Sequence, residues 1–216
     1  MPSMSIDPAA IPASPAENQP SAAVRASPDT LRLLAERRSS KPFNLAAPAP
    51  TPAQLDALLR LASRVPDHGK LNPWRFIVME GDGAVRAGDA LAHVLAHVLE
   101  KRGDATPDII AATRATFTRA PLVVTIVSTA APHGKIPEWE QVLAVGAVAQ
   151  TLLIAAHAMG FGGVWLTGWP CYDANARAAL GLQPHEKIAA FAHLGTQIEA
   201  QPERVRPDLS KLTSRF

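Results

Sequence analysis

Val142–Pro170 reads VLAVGAVAQTLLIAAHAMGFGGVWLTGWP and contains no Asp, Glu, Lys or Arg. A segment of that length and apolarity is long enough to span a bilayer. Its composition argues for another place: it is rich in Ala and Gly instead of Leu, carries Gln150, Thr151 and His157, and is broken by Gly160, Gly162 and Gly163. We read it as a helix buried inside a globular protein, ending at Gly160 in the C′ position. The glycines then turn the chain into a short strand, Gly163 to Leu166.

Working outward, Pro121 to Val127 is a continuous apolar run, as expected for a strand covered on both faces. Arg75 to Met79 and Ile188 to Thr196 are two further strand candidates. Ser27-Pro28-Asp29 is a helix start, and that helix ends near Arg37-Arg38-Ser39-Ser40, just before Pro42. Thr51-Pro52 opens a second helix to Ser63, with Leu55, Leu58, Leu59 and Ala62 on one face. Gly81-Asp82-Gly83 leads into a helix over Val85 to Arg102, and Pro107 to Arg119 and Asp173 to Leu180 read as two more. Helices separate most of the strands, which predicts an α/β or α+β fold with a covered sheet, parallel and antiparallel strands both remaining open.

A chain of 216 residues is long enough for one domain with a sizeable core, assigned here to residues 28–216. Residues 1–27, dominated by Ala, Pro and Ser without an apolar run of signal-peptide length, are expected to form a flexible tail. Gln197 to Phe216 has little periodicity and is expected to fray or to drape over a partner subunit. The net charge is +2 and the cationic residues are scattered, so nucleic acid is a poor guess for a partner. The single cysteine, Cys171, cannot form an intramolecular disulfide, which fits a reducing compartment and a cytoplasmic protein.

Two segments are candidates for chemistry. Arg64 to Met79, RVPDHGKLNPWRFIVM, puts Arg64, His68, Lys70 and Trp74 in a loop stiffened by Pro66 and Pro73 that runs directly into a strand. Such a loop can hold an anionic, planar ligand; equally, Trp74 and Phe76 can be core anchors and the charges solvated. Arg37-Arg38-Ser39 offers two guanidinium forks and a hydroxyl that suit phosphate, or else arginines that offset a helix dipole. Neither a G-x-G-x-x-G fingerprint nor a G-x-x-x-x-G-K-[ST] phosphate loop occurs. His93 and His97 have helical metal spacing but lack the glutamate of H-E-x-x-H, and Cys171 follows Trp-Pro, so we assign no metal site and no thiol nucleophile.

Arg37-Arg38-Ser39, the Arg64 to Phe76 loop, Pro137-Glu138-Trp139-Glu140-Gln141, the Gly160 to Gly168 turn and Leu194-Gly195-Thr196 occur in the order seen in the nitroreductase family. Together they resemble its short NAD(P)H-nitroreductase branch over Pro28 to Phe216. The resemblance implies a nitroreductase-like α+β fold with a central mixed sheet covered by helices. It also implies an intertwined homodimer with one FMN per subunit at the dimer interface. On the same basis, Arg37, Arg38 and Ser39 would hold the FMN phosphate and ribityl chain, Arg64 and His68 would reach it from the other loop, and Trp165, Leu166 and Thr167 would line the flavin. Ala155, Ala156, His157, Ala158, Met159 and Gly160 correspond to a stretch assigned to the nicotinamide dinucleotide. The branch can carry arginine where Leu166 stands, so Leu166 is expected to contribute backbone only. The implied activity is ping-pong hydride transfer from NAD(P)H through flavin N5 to nitroaromatic or quinone-like acceptors, with no acid-base residue required. Arg64, His68 or Lys70 would stabilise the reduced flavin, and Trp74, Trp165 and Trp169 would shape the pocket. The alternative is an FMN storage or sensing protein without turnover.

Overall fold

The computed structural model describes residues 5–20, 24–100 and 106–216. Its elements are α1 (Pro28–Glu36), β1 (Leu45–Ala46), α2 (Pro52–Ala62), β2 (Trp74–Glu80), α3 (Gly81–Glu100), α4 (Pro107–Arg114), β3 (Leu122–Ser128), α5 (Glu138–Ala158), β4 (Gly162–Leu166), α6 (Ala174–Ala179) and β5 (Lys187–Gln197). β3 lies between β2 and β5, while β4 and β1 follow one another along the far edge of β5. The α+β class expected from the sequence holds. The sheet expected to be mixed is antiparallel in every ladder described. A strand buried on both faces shows the same apolar run whichever way its neighbours point, so direction is not readable from the run itself.

The two faces of β3 define two cores. Leu122, Val124 and Ile126, with Ala190, Ala192 and Leu194 of β5, face α2 and α5. Val123 and Val127, with Ile188 and Phe191, face α3 and α6. A bulge between Ile126 and Val127 keeps both strands in phase with their cores. α5 closes the first core through Val145, Val148, Leu152 and Leu153. Its opposite side is as apolar but is left open, with Leu143 53% exposed and Trp139 68% exposed.

Several boundaries differ from those read in the sequence. α1 stops at Glu36, because Arg37 already has the extended geometry of φ −56° and ψ 138°. α3 begins at Gly81, whose φ of +48° turns the strand straight into the helix. The helix end expected near Arg102 lies outside the described residues. α4 ends at Arg114 and is followed by a 3-10 turn, Ala115–Phe117. Within the segment expected to be a free tail, Ile6 donates its N–H to the Met159 carbonyl at 3.2 Å and accepts from Gln54 Nε2 at 3.0 Å. Ile11 packs beside the same core.

Candidate functional site

The Arg37–Ser40 loop is stitched to three elements. Ser40 donates its N–H to the Gly163 carbonyl at 3.1 Å and its hydroxyl to Gln197 Oε1 at 2.8 Å, tying the loop to β4 and β5. The Arg38 carbonyl meets His157 Nε2 of α5 at 3.0 Å. The two guanidinium groups therefore leave a fixed backbone beyond the helix end, and they line a cleft of about 310 Å³ with Glu36, His157, Gln197 and Gln201. The Arg38 Nε donates to the Pro202 carbonyl at 3.1 Å, so the C-terminal segment rests on this cleft. Ser39 is exposed beside it.

Arg64 to Trp74 forms the second half of the candidate site. A capping box at Thr51 and Gln54 starts α2, and Ser63 and Arg64 leave its last turn. A 3-10 turn, His68–Lys70, follows. Gly69, Lys70 and Asn72 have φ of +75°, +54° and +49°, left-handed values that a lysine adopts only when its surroundings enforce them. Two contacts enforce them: Asp67 Oδ2 accepts the Asn72 N–H at 2.7 Å, and Gly69 packs so closely on Ile136 that a β-carbon would collide with it. Arg64, Lys70, Asn72 and Trp74 line a cleft of about 670 Å³. His68 lies beside a neighbouring cleft that shares Pro66, and its Nδ1 meets Glu140 Oε2 at 2.7 Å.

Arg75, which ends the same motif, turns away from the cleft. Its guanidinium forks onto Glu186, with Nε and Nη2 donating at 2.7 and 2.6 Å, and holds that carboxyl down to about 2. Burial works against the shift and the Gln183 N–H adds to it.

The glycine turn after α5 positions the third group. A β-carbon at Gly162 would meet Leu45, Ser40 and Gln197, and one at Gly163 would meet Leu194 and Leu153. Here the glycines serve close packing of β4. Trp165 is 36% exposed and its indole N–H donates to the Ala189 carbonyl at 3.0 Å. Leu166 packs its side chain against Leu45, Ala120 and Val164, while Thr167 is exposed. In the stretch expected to meet the dinucleotide, Ala155, Ala156 and Met159 lie inside the core. His157 holds Nδ1 2.6 Å from the Leu153 carbonyl and Nε2 3.0 Å from the Arg38 carbonyl, and a neutral ring donates to one of the two. Ala158 is exposed and Gly160, with φ +86°, is half-buried.

One chain thus brings Arg37, Arg38 and His157 together, and separately Arg64, Lys70 and Trp74, in clefts that share no lining residue. His93 and His97 are exposed on α3, and among the described residues no three His, Cys, Asp or Glu side chains cluster as metal ligands would. Cys171 is buried, which pushes its thiol pKa up and away from a nucleophilic thiolate. Glu140 and Gln141 are the residues whose roles sequence reasoning missed. The Pro137–Gln141 motif was their signal, but it did not say what they touch.

A family model described as the nitroreductase family matches residues 34–196. "Putative NAD(P)H nitroreductase YdjA" of Escherichia coli is 38% identical over 189 residues, covering 87% of this chain and 100% of that protein. The fold is shared with a nitroreductase-like family protein from Bacillus cereus at a TM-score of 0.74 and 22% identity, covering 90% of this chain and 99% of the other. It is also shared with a variant of the FMN and NADPH-dependent nitroreductase NfnB from sphigopyxis sp. strain HMH, at a TM-score of 0.64 and 20% identity over 86% and 98% of the two chains.

Proposed function

The chain belongs to the nitroreductase family of oxidoreductases, and from that premise we propose that it is an FMN-dependent enzyme that takes electrons from NAD(P)H and reduces nitroaromatic or quinone-like acceptors. Bound FMN would supply an N5 atom able to accept and release hydride, with ping-pong kinetics as the consequence. The protein's part is to bind, orient and charge-balance it. Arg37 and Arg38, on a backbone pinned to β4, β5 and α5, suit a phosphate, and Ser39 adds a neutral donor. Arg64 and Lys70 would supply positive charge and donors to the reduced, anionic ring, and His68 would add a ring nitrogen beside it. Trp74 and Trp165 offer flat apolar walls, Leu166 and Thr167 offer backbone, and Trp169 packs into the second core.

The supporting observation is the separation of these two groups into clefts of one chain, beside apolar surface that has no cover. Leu31 is 68% exposed and Leu34 47% exposed on α1, a helix with no buried residue, and Leu143 is exposed on α5. A nine-residue helix does not hold itself together in water. A second copy lying along α1 and α5 would cover this surface and bring the arginines of one chain to the loop of the other, so the proposed working unit is a homodimer. Ala155–Gly160 remains the proposed nicotinamide stretch, confined to backbone, Ala158 and His157 by the burial of the rest. A cytoplasmic location belongs to the same proposal; a lone buried cysteine is compatible with a reducing compartment.

The test is an absorbance spectrum of the purified protein before and after anaerobic NADH or NADPH. A bound flavin spectrum that bleaches on addition is the expected result. A colourless protein that takes up no FMN contradicts the proposal, and a bound flavin that neither donor bleaches leaves the storage or sensing reading in its place.

A further inference from the structure

We propose that Glu140 is a positioning residue for His68, fixing which ring nitrogen faces the ligand; the ligand's identity rests on the FMN reading above, the pairing does not. The bond spans 72 positions of sequence and joins a loop to the first turn of α5. An acidic residue in a first turn ordinarily complements the free amides there. Glu140 instead aims Oε2 at His68 Nδ1, 2.7 Å away.

The two partners differ in how firmly they are held. Gln141, next to Glu140, is buried and clamps the start of α5: its amide bonds the Ala131 N–H and carbonyl at 3.1 and 2.8 Å and the Ile136 carbonyl at 3.4 Å. Ile136 in turn backs Gly69. His68 opens the turn whose next two residues, Gly69 and Lys70, are left-handed, and Glu140 is its side chain's one hydrogen-bond partner among the described residues.

A carboxylate accepts and does not donate, so Nδ1 must carry the proton whether the ring is neutral or cationic. Nε2 is then the atom left for a ligand in the adjoining cleft of about 310 Å³, which Pro66, Leu143, Ala144 and Ala147 also line. Both side chains are well exposed, 64% and 44%, so the pair adds little to folding stability. Its removal is therefore expected to change what His68 presents and not whether the chain folds.

Long-range nitrogen-15 NMR of the full chain, with FMN binding measured in parallel, tests this on Glu140→Ala, Glu140→Gln, His68→Ala and the double alanine variant. The expected neutral tautomer of His68 is Nδ1–H in the native chain and mainly Nε2–H in Glu140→Ala. FMN affinity falls about tenfold in Glu140→Ala, as for loss of a charge-assisted bond. Glu140→Gln, which keeps an acceptor oxygen, restores most of it. The double variant binds no worse than His68→Ala, because Glu140 acts through His68. Losses that simply add, or a native ring already in the Nε2–H form, overturn the proposal. If the native chain takes up no FMN the flavin reading fails, and the tautomer measurement still decides the pairing.

Discussion

Arg75 and Glu186 show how a single residue inside a candidate ligand-binding motif can serve the fold. The guanidinium bridges β2 to the turn before β5, and the carboxylate, 6% exposed, also accepts the Gln183 N–H at 2.8 Å. Its pKa is lowered from 4.5 to about 2 in the folded chain. The unfolded chain therefore binds the proton first as pH falls, so stability is full above about 4.5 and drains toward about 2. The amount at stake is about 3 kcal/mol at most. Urea midpoints measured from pH 6 downward should fall across that window in the native chain. They should fall less steeply in Glu186→Gln. Arg75→Met, which strands a buried carboxylate, should cost about 3 kcal/mol or more at pH 7. At this scale the short motifs mark Arg37, Arg38, Arg64, His68 and Lys70 as candidates; the structure sets Arg37 and Arg38 on one cleft, Arg64 and Lys70 on another and His68 beside a third, and their role as ligand contacts is the proposal. The partners of Arg75 and His68 were not legible, since each lies far away in sequence and nothing in a motif encodes a distance through space.

Among the elements, α5 was legible as a core helix from its lack of charge. That only one side of it is covered was not, because an apolar residue reads the same against the sheet as against a second copy of the chain. The two-residue β1 left no periodic trace; it exists because Leu45 and Ala46 pair with Gln197 and Thr196 of β5. The α3–α4 crossing depends on another unmarked position. Gly88 lies against the Arg114 carbonyl so closely that a β-carbon would overlap it, and backbone cannot step aside as a side chain can. Gly88→Ala should separate these helices and cost about 2 kcal/mol, seen as a lower unfolding temperature. Because neither helix lines the proposed clefts, flavin affinity should be retained.

For the whole molecule, the α+β layering followed from strands and helices whose patterns are strong. The antiparallel order of the sheet needed the structure, as did the seat of the N-terminal segment. Ile6 occupies the one partner that Gln54 Nε2 has among the described residues, and Gln54 is 6% exposed. Removing residues 2–12 should lose that bond and the packing of Ile11 on the first core and cost about 1–3 kcal/mol, a fall of several degrees in unfolding temperature for a chain of this size. An unchanged temperature would show that the segment does not hold the body.

The two clefts, the bare α1 helix and the open side of α5 all lead to one claim, that the ligand site is completed by a second copy of the chain. Native mass spectrometry of the purified, FMN-supplied protein tests it in one spectrum. Two chains carrying two FMN molecules, with flavin lost whenever the pair is separated, is the predicted outcome; a single chain that keeps its FMN, or a pair that binds none, would contradict it.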